Sequence, residues 1–158
     1  MIQIEIPGRE QPLELDALVL DYNGTIACDG QLIEGVGERI RALSAKLPVY
    51  ILTADTYGTV RRQCEGLGAE ILTFPRAAAG ECKEEIVRKL ALDHSVCVVG
   101  NGFNDVRMFD PAELAIAVLD TEGMYAGLLP HADVLVRAAP DALDLLLKPN
   151  RLRATLRN

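Results

Sequence analysis

Three short, unbroken apolar runs constrain this chain more than anything else in it: Leu18-Val19-Leu20, Val49-Tyr50-Ile51-Leu52 and Val96-Cys97-Val98-Val99. Each is strand-sized and lacks polar alternation, the pattern of a strand covered on both faces. Between them apolar residues recur at helical spacing. Val36, Ile40, Leu43 and Leu47 precede Pro48, and Val60, Cys64 and Leu67 precede Gly68. Ile71, Leu72 and Phe74 predict a further strand, and Ile86, Val87 and Leu90 a further helix. A short helix after Asn104, strands at Leu114–Val118 and Val134–Val136, and a helix from Asp141 to Lys148 complete the pattern. Strands alternating with helices build βαβ units. The expected fold is therefore α/β and Rossmann-like, a mostly parallel sheet flanked by helices.

Ile2, Ile4 and Ile6 alternate before Pro7-Gly8, and Leu13 and Leu15 alternate after it, which predicts an N-terminal β-hairpin over 1–16. The core is expected over 17–148, and a C-terminal tail over 149–158. In that tail Lys148, Arg151, Arg153 and Arg157 suggest a solvated terminal helix. The 158 residues fit one domain, typically ~100–200 residues, large enough to need no disulfide staples. The four cysteines have no C-x-x-C spacing and read as free thiols of a reducing cytoplasm. His94 and His131 are too few and too far apart for a zinc site.

A net charge of −7 and 4% aromatic residues argue against a nucleic-acid partner. No apolar run approaches the ~18–20 residues that cross a bilayer, and the first residues lack the basic start of a signal peptide. A cytoplasmic protein without membrane or nucleic-acid partners is expected.

In an open α/β sheet, ligands bind beyond the carboxyl ends of the strands. The first apolar run ends in Asp21-Tyr22-Asn23-Gly24-Thr25, the second in Thr53-Ala54-Asp55, and the last in Gly100-Asn101-Gly102-Phe103-Asn104-Asp105. Each has a simpler explanation. Asn23-Gly24 is a type I′ hairpin signal, and Thr53-Ala54-Asp55 could cap a helix. Gly100-Asn101-Gly102 could be a turn, or a dinucleotide fingerprint with Asp105 in place of its third glycine. Three such segments in order, all on strand ends, outweigh these separate readings.

The first segment resembles the D-x-D-x-T signature of the haloacid dehalogenase superfamily, and more closely the D-K-T-G-T of P-type ATPase phosphorylation domains. Thr53-Ala54-Asp55 is similar to their T-G-D, and Gly100–Asp105 to their G-D-G-x-N-D. Lys83, 18 residues before Asn101, stands close to where the family keeps a lysine; Lys89, at 12 residues, fits less well. The resemblance implies a phosphatase in which Asp21 is the nucleophile. The backbone carbonyl of Asn23 would help Asp21 hold Mg²⁺, with Asn101 and Asp105, the latter directly or through water. Thr53 would hydrogen-bond the transferring phosphoryl group and Lys83 would offset the charge of Asp21 and phosphate. Tyr22, Gly24, Thr25 and Ala54 are the residues expected beside the substrate, Thr25 also fixing the loop.

Two positions depart from the pattern. Asn23 stands where the family's phosphatases place an acid–base aspartate, and Asn101 where they place a metal-binding aspartate. The resemblance therefore implies a slow or specialised phosphatase acting on a phosphorylated substrate. A non-catalytic phosphate- or metal-binding module, and a soluble piece of an ion pump, remain as alternatives. The intervals between the segments are too short for a cap domain, leaving only a flap with a turn at Cys28-Asp29-Gly30. An uncapped site suits a large substrate, or borrows a lid from another copy in a dimer or tetramer.

Overall fold

The apolar runs become neighbours at the centre of one sheet in a computed structural model that describes residues 1–55 and 58–158. Strands β1 (Ile2–Ile4) and β2 (Leu13–Leu15) pair antiparallel as the expected hairpin. Strand β3 (Ala17–Asp21) is followed by a flap of two short antiparallel strands, β4 (Ala27–Cys28) and β5 (Gln31–Leu32). Helix α1 (Val36–Ser44), β6 (Val49–Thr53), α2 (Thr59–Gln63), β7 (Glu70–Thr73) and α3 (Ala79–Leu90) come next. After them run β8 (Val96–Gly100), α4 (Val106–Phe109), β9 (Leu114–Val118), β10 (Val134–Val136), α5 (Ala139–Leu147) and α6 (Pro149–Leu156).

Six strands pair in the order β10-β9-β8-β3-β6-β7, every adjacent pair parallel. The period of two along each strand divides the core into two layers. Leu18, Leu20, Cys97, Val99, Leu114 and Ile116 face one layer, with Ile40 and Leu43 of α1, Leu143 and Leu146 of α5, and the hairpin isoleucines. Val19, Val96, Val98, Ala115 and Ala117 face the other, against Val87 of α3 and Met108 and Phe109 of α4. Burial of each large side chain contributes roughly 1.5–3 kcal/mol, so covering both faces of β3 and β8 fixes their place at the centre.

The chain runs from β3 outward to β6 and β7, then crosses back to β8 on the other side of β3. That reversal opens a crevice at the carboxyl ends of β3 and its two neighbours, where the three polar segments lie.

Two elements differ from expectation. Helix α2 stops at Gln63, short of Leu67, because Gly66 and Gly68 take left-handed conformations (φ 72° and 78°) that no helix continues through. Residues 149–156 form the expected terminal helix, α6, with most side chains exposed, but it is anchored: Leu152 is buried completely, and the Asn158 N–H donates to the Pro7 carbonyl at 3.0 Å. Leu152, with the partly buried Leu156 one turn on, docks that helix on the hairpin layer.

Candidate active site

Strand β3 ends on Asp21, and the chain then folds tightly over it. The Tyr22 carbonyl accepts the N–H groups of Thr25 (3.3 Å), Ile26 (3.1 Å) and Ala27 (3.0 Å). Gly24 has φ 78°, and a Cβ on it would lie 2.6 Å from Asn101 Nδ2. Only glycine suits that position. Asn23 is not left-handed, so Asn23-Gly24 does not form the type I′ turn its sequence suggests. The Thr25 hydroxyl lies 2.9 Å from Asp21 Oδ2 and 3.0 Å from Asn101 Oδ1, joining the first and last segments across the β3–β8 boundary. Asn101 Nδ2 in turn donates to the Gly123 carbonyl at 3.0 Å.

Lys83 reaches this centre from α3. Its ammonium has three protons and three oxygen acceptors: Asp21 Oδ1 at 2.6 Å, Asp105 Oδ1 at 2.8 Å and Asn104 Oδ1 at 2.8 Å. The side chain is 2% exposed, with the Phe74 ring centroid 5.9 Å from Nζ. Lys89, by contrast, is 72% exposed and pairs with Glu85, so the structure distinguishes the two lysines.

Asp105 is completely buried. Its second oxygen accepts the backbone N–H groups of Asn101 and Gly102, both at 2.9 Å. A Cβ on Gly100 would fall 2.6 Å from the Asp105 carboxylate. Gly100 therefore makes room for a folded-back aspartate, not for a dinucleotide pyrophosphate.

Two carboxylates share one ammonium here, and both sides respond. Burial, and then the neighbouring Asp105, push Asp21 up to about 7, against the pull of Lys83 and Thr25. Burial lowers Lys83, but the two carboxylates and their hydrogen bonds outweigh it and hold Lys83 above its ordinary value. There is negative charge enough to keep Lys83 protonated, and its pull on Asp21 does not make up for the water Asp21 has lost.

These groups open onto a cleft of about 630 Å³. Asp21, Tyr22, Asn23, Thr53, Ala54, Lys83 and Asn101 line it; Gly24, Thr25 and Asp105 stand behind the lining. The Thr53 hydroxyl accepts the Asp55 N–H at 3.0 Å, and Asp55 Oδ2 accepts the Val60 N–H of α2 at 3.0 Å. The capping suggested by that segment is therefore real and sits beside the cleft.

Tyr22, expected against substrate, is 1% exposed; its hydroxyl donates to the Gly30 carbonyl at 3.0 Å and holds the flap turn. The flap is also tied to the loop after β9, by the Asp29 N–H on Glu122 Oε2 at 3.1 Å.

Several site residues carried no assignment from sequence. Asn104 lies within the last polar segment and could have been read as a partner for the lysine. Arg76 and Phe74, which also line the cleft, sit in a stretch with no motif, and only the topology brings them to it.

The chain belongs to the haloacid dehalogenase-like hydrolase family, whose model matches residues 4–112. It is similar to a soluble P-type ATPase-like phosphatase of Methanocaldococcus jannaschii, 29% identical over 143 residues, 89% of this chain and 52% of that one. The chain thus spans about half the length of that relative. An uncharacterized protein of the same organism is 38% identical over 74 residues, 47% of this chain and 80% of its own. Among solved structures, the 3-deoxy-D-manno-octulosonate 8-phosphate phosphatase of Moraxella catarrhalis shares the fold, with a TM-score of 0.69 and 17% identity. The match covers 90% of this chain and 94% of that one, which was crystallised with magnesium ion, phosphate ion and KDO. No helix among the described residues is long and apolar enough to cross a membrane.

Proposed function

We propose that the chain is a Mg²⁺-dependent phosphatase that works through an aspartyl-phosphate on Asp21. The observation that carries this reading is the convergence on one cleft of Asp21 from β3, Thr53 from β6, Lys83 from α3 and Asn101 from the loop after β8. The donors beside Asp21 suit a hard divalent cation: all are oxygens, and the buried cluster has one carboxylate more than its ammonium offsets. Asp21, the Asn23 backbone carbonyl and the Asn101 amide would hold Mg²⁺, with Asp105 behind them through the loop it clamps. When bound, the ion supplies positive charge against the phosphoryl oxygens and lowers the cost of ionising Asp21.

The chain's own residues account for the rest. The Asp21 carboxylate attacks phosphorus, the ester bond to the leaving oxygen breaks, and the acyl phosphate forms. The Thr53 oxygen accepts from Asp55, and its proton, which has no acceptor among the described residues, donates to a phosphoryl oxygen. Lys83 offsets charge on Asp21 as the phosphoryl group arrives. Water then attacks phosphorus, releasing inorganic phosphate and restoring Asp21. Asn23 cannot pass a proton to the leaving group or take one from water. Turnover is therefore slow, or confined to esters whose oxygen leaves readily as an anion, since acid–base assistance is typically worth ~10²–10⁴ in rate.

Phosphate release from an aryl phosphate with Mg²⁺, abolished by Asp21→Asn, tests this reading. The rival is a phosphate- or metal-binding module without turnover, favoured by the exposed asparagine at position 23. Tight binding of beryllofluoride with no turnover in a well-folded preparation selects the rival; absence of both removes the phosphoryl site altogether.

A further inference from the structure

The cleft continues past the reaction centre. Arg76, Ala79, Phe103 and Asn104 line it at one end, and the same four residues border a second depression of about 420 Å³ that runs on toward Gly80 and Arg107. The two hollows form one groove from Asp21 outward. Its cations differ sharply in what they already hold. Lys83 is saturated by three oxygens. Arg107 is taken by Glu81 at 2.8 Å and Glu84 at 2.9 Å. Arg76 is exposed and forms no ion pair or side-chain hydrogen bond among the described residues.

Opposite chemistry stands beside it. Phe103 is 72% exposed, an unusual state for phenylalanine, yet it is not loose: Tyr125 meets it edge to face, with centroids 5.2 Å apart. A ring held edge to face and turned to solvent, and a guanidinium unclaimed among the described residues, therefore frame the passage along which a leaving group would extend. A bare phosphate would use neither.

We infer that Arg76 and Phe103 form a leaving-group subsite for a second oxyanion: the substrate is a phosphate monoester whose leaving group bears a carboxylate or a further phosphate on an apolar spacer. The spacer lies against Phe103 and the second oxyanion meets the Arg76 fork, which suits carboxylate and phosphate alike. This deepens the phosphatase reading and rests on it for the position of the first phosphate. It also gives an uncapped site a source of selectivity that needs no lid.

The test compares phenyl phosphate, 4-carboxyphenyl phosphate and 1,4-phenylene bisphosphate as substrates with Mg²⁺. The readout is the ratio of kcat/KM with and without the second oxyanion, and each variant's ratio is compared with that of the unsubstituted protein to cancel intrinsic reactivity. Arg76→Ala is expected to lower the ratio about tenfold, the scale of one charge-assisted contact. Arg76→Glu should lower it further and Arg76→Lys should keep part of it. Arg62→Ala, an exposed cation outside the groove, serves as the control for a general field effect and should leave the ratio in place. The carboxyl and bisphosphate arms tell which oxyanion is preferred.

A ratio that Arg76→Ala does not move, or that Arg62→Ala moves equally, overturns the inference. If no substrate is turned over, the phosphatase reading fails, and the same three ligands are titrated calorimetrically into Asp21→Asn with Mg²⁺. Tighter binding of the doubly anionic ligands, lost in Asp21→Asn/Arg76→Ala, upholds the subsite; equal binding of all three overturns it.

Discussion

Replacing Asp21 by asparagine should make the protein more stable while removing its proposed nucleophile. In a chelating buffer at about pH 8, above the raised Asp21 value of about 7, the cluster carries two buried carboxylates on one ammonium. Moving Asp21 from 3.8 to about 7 corresponds, at ~1.4 kcal/mol per unit, to an upper bound of ~4 kcal/mol of penalty on the ionised form. Asparagine removes that penalty and keeps the local hydrogen bonds. Its oxygen can still accept from Lys83, and its amide can donate to the Thr25 oxygen, whose own proton then serves Asn101 Oδ1 at 3.0 Å.

Lys83 keeps Asp105 as its counter-ion. Some attraction to Lys83 is lost, so the net gain should be about 1–3 kcal/mol, or a rise in Tm of roughly 3–10 °C for a domain of this size. Thermal melts followed by circular dichroism read it. Added Mg²⁺ at about 100 times its Kd should stabilise the unsubstituted protein by ~2.7 kcal/mol and Asp21→Asn much less, narrowing or reversing the order. An Asp21→Asn protein less stable than the parent in chelator would refute the charge count on which the site is built.

Asn23→Asp places a titratable carboxyl at the exposed cleft position beside Asp21, and kcat on an aryl phosphate should rise about 10²-fold; an unchanged or lower rate counts against the role given to that position. Gly24→Ala puts a Cβ 2.6 Å from Asn101 Nδ2 at a left-handed φ of 78°, costing about 2 kcal/mol in urea melts and lowering phosphate release more than tenfold; parent-like behaviour in both would show that the loop can relax. Asp144 accepts from Arg39 at 2.9 Å and Lys148 at 3.0 Å, and those partners, Arg39 first, hold it below the usual carboxylate range. A lowered folded value stabilises above the unfolded value of ~3.9 and stops doing so as pH falls through the folded one. Asp144→Asn should therefore cost about 1 kcal/mol near pH 7 and progressively less as pH falls below the unfolded value, and a cost independent of pH would place the role of Asp144 in packing.

What could be read from the chain alone divides along a physical line. Strand centre and strand end were legible because β3, β6 and β8 are covered on both faces, so their apolar runs are unbroken and stop where polar chemistry begins. Lys83 was legible only through a resemblance and a spacing. Its burial, and the exposure of Lys89, follow from which face of α3 meets the sheet. Less legible were groups whose role depends on a partner distant in sequence. Asp105 turns back on its own loop, Tyr22 uses its hydroxyl on the flap, and Leu152 anchors a terminal helix whose other residues are mostly exposed. Arg76 left no trace in the sequence, because a cation unpaired among the described residues is recognised only by what three dimensions place around it.

The two asparagines that depart from the family pattern make sense against this charge count. With aspartates at 23 and 101, four acids would gather around the single Lys83 ammonium, and Asn101 sits within reach of the same Thr25 hydroxyl as Asp21. Asp21 already bears the strain of one excess acid, its carboxyl raised to about 7. A second acid at 101 would raise that burden wherever no divalent cation offsets it, and would turn the Asn101 amide's bond to the Gly123 carbonyl into a repulsion. On the proposed reading, asparagine at 101 would trade metal affinity for a loop that stays assembled without metal, and asparagine at 23 would give up the proton shuttle for less repulsion of a dianionic ester. On the same reading, such a site would gain most from substrates that bring their own advantages: a leaving group that needs no proton, and a second oxyanion for Arg76 to hold.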